Sequence, residues 1–149
     1  MADDFTSDDL KTKIFTADTT NSVSIPFCES IISAGFPSSA ENFIERSLDI
    51  NDLLIKHPTS TFYIRVIGDS MINAGINTGD ILVVDRALTL TNNKIAVVRI
   101  NNEFAVKRIS FTNDTIHLIA ENDKYAPIEI NNEMDFELWG IVTYVIHRV

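Results

Sequence analysis

The sequence predicts a mainly β protein, one body of short antiparallel strands with one or two short helices and an extended N-terminal arm. Three observations carry this. From Phe62 to Ile146, runs rich in Val, Ile, Leu, Phe, Tyr and Thr alternate with breaks that hold Asn and Asp. Two of those runs are separated only by Asn101-Asn102, a two-residue loop whose side chains tolerate positive φ and so suit a tight hairpin. A length of 149 residues allows one real core but not comfortably two.

Met1 to Asn21 reads as a loose arm, with Asp3, Asp4, Asp8 and Asp9 crowding its start and Thr, Ser, Asn and Asp dominating Thr16 to Ser24. Order is expected from about Ile25 to Ile32, where Phe27, Ile31 and Ile32 offer apolar anchors. Ser33-Ala34-Gly35-Phe36-Pro37 reads as a turn, because Gly supplies positive φ and Pro cannot continue a helix. Ser38-Ser39-Ala40-Glu41 has the form of a capping box, which predicts a short helix through about Ser47. Leu48 to Leu54 adds a further helical turn, ended by Pro58.

Phe62-Tyr63-Ile64-Arg65-Val66-Ile67 reads as a strand that stops at Gly68. Gly68, Gly75 and Gly79, three of the chain's five glycines, then mark sharp turns within twelve residues. Asp80 to Asp85 is a largely apolar, buried strand. Lys94–Ile100 and Glu103–Ile109 form the hairpin around Asn101-Asn102, and Thr115–Ala120 and Phe136–Ile146 complete the series. Phe136, Leu138, Trp139 and Ile141 are core by default, or part of a dimer surface.

Composition narrows the function classes. A formal net charge of -9 argues against holding nucleic acid through its phosphates, so direct sequence-specific DNA binding is not expected. No apolar run is long enough to span a bilayer, and the N-terminus is acidic where a secretory signal is basic. The expected compartment is the cytoplasm, with no membrane partner. A single Cys28 excludes an intrachain disulfide framework and reads as a small apolar side chain. No Cys/His cluster has metal-ligand spacing, so neither metal nor cofactor is expected.

The chemistry centres on Gly68-Asp69-Ser70-Met71 and Ala105-Val106-Lys107-Arg108. A serine hydroxyl needs a neighbouring base at neutral pH, and a lysine serves if burial strips enough water from its ammonium. Ser70 falls just past a strand end, where its hydroxyl is presented and backbone N–H groups can face an oxyanion. Lys107 shares its strand face with Ala105 and Ile109, an apolar setting that would lower its pKa from the reference of ~10.4. Taken alone, such a pattern more often means a solvated strand lysine. A Ser-His-Asp triad is the rival, with His57, His117 and His147 on offer, but none has a local signature tying it to Ser70. Asp69 reads as a turn-stabilising carboxylate rather than a base.

Gly-Asp-Ser-Met after a strand, Gly79-Asp80-Ile81-Leu82-Val83-Val84-Asp85 ten residues on, and Val106-Lys107-Arg108 together resemble the self-cleaving serine-lysine peptidase family of LexA, phage repressors and UmuD. The resemblance covers roughly Ile32 to the C-terminus and implies that family's compact body of strongly bent strands. Family members cleave themselves at an Ala-Gly or Cys-Gly bond upstream of the serine, and Ala34-Gly35 matches in type and position. It implies catalytic Ser70 and Lys107, with an oxyanion held by the backbone of Asp69 and Ser70. Residues 1–34 would then be removed, and 35–149 would be the peptidase and dimerisation domain.

LexA and phage repressors carry a basic helix-turn-helix domain of about 60 to 80 residues before the bond. Here 34 residues of net charge -4 precede Gly35. That departure favours the UmuD branch, which the chain also resembles in Gly35-Phe36-Pro37-Ser38 and Leu53-Leu54-Ile55-Lys56-His57-Pro58. The implied partners are a second copy of the chain, a RecA filament on single-stranded DNA as activator, and an error-prone Y-family polymerase in SOS-induced translesion synthesis. The Asp-rich start departs from the shorter arm of that branch. Three alternatives stand: a non-catalytic dimeric adaptor for a polymerase or recombinase filament, a truncated LexA-like repressor without its DNA-binding domain, and a signal peptidase, which would need a membrane anchor.

Overall fold

The computed structural model describes residues 15–28, 34–35, 37 and 45–149. Among these residues there are ten strands: β1 (Phe15–Thr16), β2 (Ser24–Cys28), β3 (Glu45–Asp49), β4 (Thr61–Arg65), β5 (Ile81–Asp85), β6 (Ile95–Ile100), β7 (Glu103–Thr112), β8 (Thr115–Ile119), β9 (Ile128–Glu129) and β10 (Phe136–Ile146). The one α-helix among the described residues is α1 (Ile50–Leu54). Eight strands form one antiparallel sheet in the order β1-β4-β5-β10-β6-β7-β8-β9, and β2 pairs with β3 separately.

β10 is the hinge of the sheet. Its first half pairs with β6 and its second half with β5, with register shifts at Leu138/Gly140 and Val142/Tyr144. Such slips add local twist and bend a strand, and here they let one strand serve two neighbours. Gly140 sits at the tightest point: a Cβ there would lie 2.7 Å from Val84 Cγ1. Only a residue without a side chain fits.

Alternation along the strands feeds two apolar clusters. β6 sends Val97 to one and Ala96 and Val98 to the other, while β7 sends Phe104 and Val106 to the first and Ala105 and Ile109 to the second. Met71 and Ile76, from the segment after β4, fill the first cluster at 2% and 1% exposure. Burying each such side chain stabilises the fold by roughly 1.5–3 kcal/mol, which anchors that segment to the sheet.

The strands expected from β4 to β8 and at Phe136–Ile146 are present, and Asn101 and Asn102 take φ values of 47° and 68° in the hairpin. The N-terminal third differs. The capping box and the first part of the expected helix lie outside the described residues. Its last part, Glu45 to Ser47, is strand, as are Leu48 and Asp49. The physical reason is the ladder with β2, from Ser24↔Asp49 to Cys28↔Glu45, which takes up this backbone before a helix can. Asp49 then caps α1, its side chain accepting from Asn51 N–H at 2.9 Å, so the helix starts two residues later than the periodicity suggests. Order also begins earlier than Ile25, since Phe15 and Thr16 pair with Tyr63 and Phe62.

Candidate active site

Ser70 lies in the connection between β4 and β5, a stretch fastened at both ends. Gly79 N–H donates to Val66 O at 2.8 Å and Val66 N–H to Asp80 O at 2.9 Å, which closes its base. Gly68 N–H donates to Thr78 Oγ1 at 2.9 Å. Gly68 and Gly79 take φ values of 105° and 94°, conformations that disfavour any residue with a Cβ. The expected glycine turns therefore do what their spacing suggests, folding the segment back so that Ser70 stands half-buried at its tip.

Beneath Ser70 is a cleft of about 80 Å³. The end of β4, Gly68, Ser70 and Met71 form one wall, and Phe104, Ala105 and Val106 of β7 form another. Its lining is apolar except at the serine and Arg65. Such a slot suits a short, small-residue stretch of extended chain beside a hydroxyl.

Lys107 follows this β7 wall. It leaves the strand on the face of Ala105 and Ile109, as alternation requires, and is half-buried. Burial there pushes its pKa below the ordinary lysine value, since removing water disfavours the charged amine. Its Nζ lies 5.5 Å from the centroid of the Tyr125 ring. The Tyr125 hydroxyl donates to Asp69 Oδ1 at 2.6 Å, one residue before Ser70. That bond, aided by Lys124 Nζ at 3.7 Å, holds the Asp69 carboxyl below its usual range. Ser70 and Lys107 are thus linked through Tyr125 and Asp69, and no direct hydrogen bond joins them in this arrangement. Catalytic hydrogen bonds are often long or misaligned before substrate is seated.

The histidines are engaged elsewhere. His57 Nδ1 meets Asp85 Oδ2 at 2.5 Å and His147 Nδ1 meets Asp80 Oδ1 at 2.6 Å. Both carboxylates are 4% exposed, and each pair ties an outer segment to an end of β5. His117 lies 3.6 Å from Glu129 Oε2. None of the three is held against Ser70, so no triad is assembled. The Asp69 carboxylate, expected to stabilise its own turn, instead bonds Tyr125 and Lys124 from the segment after β8.

Ala34 and Gly35 are exposed, and a Cβ added to Gly35 would meet no described atom within 4 Å. Among the described residues, neither Ala34 nor Gly35 lines the cleft beneath Ser70. Tyr125, Asn122 and Glu121 escaped the sequence reading, because their partners lie 13 to 56 residues away and are set by the fold. The only local hint is a polar, turn-forming stretch immediately before Tyr125-Ala126-Pro127.

Residues 26–143 match the family described as peptidase S24-like. The chain belongs to the S24-like peptidase family. The S24-like match spans all of the sheet except β1 and the tip of β10. Among relatives, the chain is 40% identical to protein MucA of Salmonella typhimurium over 122 residues, covering 81% of this chain and 83% of MucA. It is 38% identical to protein ImpA of Shigella flexneri over 116 residues, 77% of this chain and 78% of ImpA. Against the LexA repressor of Pectobacterium carotovorum it is 37% identical over 118 residues, 78% of this chain but 58% of the repressor. The chain is a UmuD-like member of the LexA/UmuD group, and self-cleaving serine peptidase character holds at the level of that family. Among the described residues no cluster of side chains could hold a metal ion, and no helix is long and apolar enough to cross a membrane.

Proposed function

We propose that the chain cuts itself between Ala34 and Gly35, with Ser70 as nucleophile and Lys107 as base. The observation that carries this reading is the half-buried Lys107 amine, partly stripped of water and bridged by Tyr125 to the residue beside Ser70. Neutral Lys107 takes the Ser70 proton as Oγ attacks the Ala34 carbonyl, and backbone N–H groups of Asp69 and Ser70 hold the developing oxyanion. The lysine ammonium then returns its proton to the departing Gly35 amine. Water hydrolyses the ester, freeing Ser70 and residues 1–34.

Because bond and nucleophile belong to one assembly, positioning replaces substrate affinity. Cleavage is slow until Ala34-Gly35 enters the cleft, and small side chains at the bond let the β4 and β7 walls approach the backbone. In this reading the product, residues 35–149, is a homodimer that joins an error-prone Y-family polymerase in SOS mutagenesis. A RecA filament on single-stranded DNA promotes the seating. The UmuD-like relatives support this role, and the acidic chain fits a protein that meets the polymerase rather than DNA. The test is incubation of the full chain at alkaline pH, with and without an activated recombinase filament. A product beginning at Gly35 is expected, absent in Ser70→Ala.

A further inference from the structure

The segment between β8 and β9 makes more contacts with the proposed site than loop closure requires. Asn73 N–H donates to Glu121 O at 2.8 Å and Asn122 Nδ2 to Asp69 O at 2.9 Å, so residues 121–122 hold both sides of the Ser70 turn. Glu121 is ion-paired with Arg108, the neighbour of Lys107 on β7. The segment ends in Tyr125, which reaches Asp69 with its hydroxyl and Lys107 with its ring. It touches the nucleophile's turn and the base's strand together.

Granting the Ser70–Lys107 reading, we propose that Tyr125 is a positioning residue for that pair: its hydroxyl fixes the carboxylate beside the nucleophile, and its ring walls the base's amine from water. At 5.5 Å the amine lies near the outer reach of cation–π attraction, about 6 Å, so the ring acts more as an apolar wall than as a charge partner. The Asp69 carboxylate lies beyond the tyrosine hydroxyl and is shared with Lys124, while Arg108 leaves β7 on the opposite face to meet Glu121. The hydrogen bond to Asp69 also raises the tyrosine's own pKa, so it keeps its proton well into the alkaline range.

Two substitutions separate the two roles. Tyr125→Phe keeps the wall and releases Asp69. Self-cleavage falls about tenfold at every pH, the scale of a lost hydrogen bond to a charged group, and the midpoint of the pH profile stays put. Tyr125→Ala also returns water to the amine, which raises its pKa and lowers the neutral fraction at any given pH. The rate falls further and the midpoint moves to higher pH. Titration of Lys107 by NMR in chains carrying Ser70→Ala, with and without Tyr125→Ala, reads the same shift without any cleavage. Should the alanine variant fail to fold, Tyr125→Gln, which keeps bulk but brings a hydrated amide to the amine, replaces it.

An alanine or glutamine variant that melts like the parent and titrates at the same or a lower pH overturns the wall. A phenylalanine variant that cleaves at the parental rate overturns the tether. A parent chain that stays whole at every pH overturns the dyad reading, and this inference with it.

Discussion

The Ser70 turn and the Ala34-Gly35 bond are the two halves of the proposed reaction, and they are held in opposite ways. The turn is overdetermined: glycines at positive φ, two buried side chains, and hydrogen bonds with Val66, Thr78 and residues 121–122 all fix it. The bond stands exposed, with open space around Gly35 among the described residues. The difference teaches where control sits. Because the turn that carries Ser70 is preformed, the proposed reaction makes delivery of the bond its slow event. Anything that promotes delivery, a partner filament included, can act as activator without touching the chemistry.

The sharpest way to break this contrast is to remove the chemistry while leaving both halves folded. Ser70→Ala and Lys107→Ala should each abolish self-cleavage over any accessible incubation, with melting temperatures near the parent's. In the parent, cleavage should climb about tenfold per pH unit in the alkaline range and level off below the ordinary lysine pKa, because only the neutral amine accepts the proton. A flat profile would remove Lys107 from the reaction.

Loosening the fastened half comes next. Gly79→Ala forces a side chain into φ of 94° and should cost about 1–3 kcal/mol, lowering melting temperature and cleavage rate together. His147→Ala should cost about 1 kcal/mol, because its partner Asp80 is buried but keeps the Asn77 N–H bond at 2.8 Å. Burial alone would raise the Asp80 pKa, and the bonds from Asn77 and His147 outweigh it and hold the pKa low. Stability from that depression is present above the ordinary carboxylate pKa and is lost as pH falls through the lowered value. Without His147 the acid loss should therefore begin at higher pH, as acid-induced unfolding followed by circular dichroism would show. Gly35→Ala should move stability least, within about 0.5 kcal/mol, since the position is exposed and unstrained. It should still slow cleavage by crowding the cleft. Equal losses of stability from the Gly35 and Gly79 substitutions would erase the contrast.

Much of this architecture is legible in the sequence because its causes are local. Alternation in Glu103–Ile109 places Lys107 opposite Phe104 and Val106, and the glycines at 68, 75 and 79 announce the turn that carries Ser70. Where long-range pairing decides, the local reading fails. Glu45–Asp49 follows a capping-box pattern, yet β2 supplies a partner for its backbone and strand results. The two-residue β1 and β9 are too short for any period to register. Tyr125 is invisible for the same reason: nothing near Tyr125-Ala126-Pro127 signals a carboxylate 56 residues back. Candidate reactive groups were readable from residue type and spacing, while the groups that tune them belong to the tertiary structure.

In the proposed reaction Lys107, kept partly dry, activates Ser70 against a bond in its own chain. Mass spectrometry of the purified parent and of Lys107→Ala after parallel alkaline incubation tests it most directly. A fragment beginning at Gly35 is expected from the parent and an intact chain from the variant; the same fragment appearing at the same rate in both would rule out Lys107 as the base.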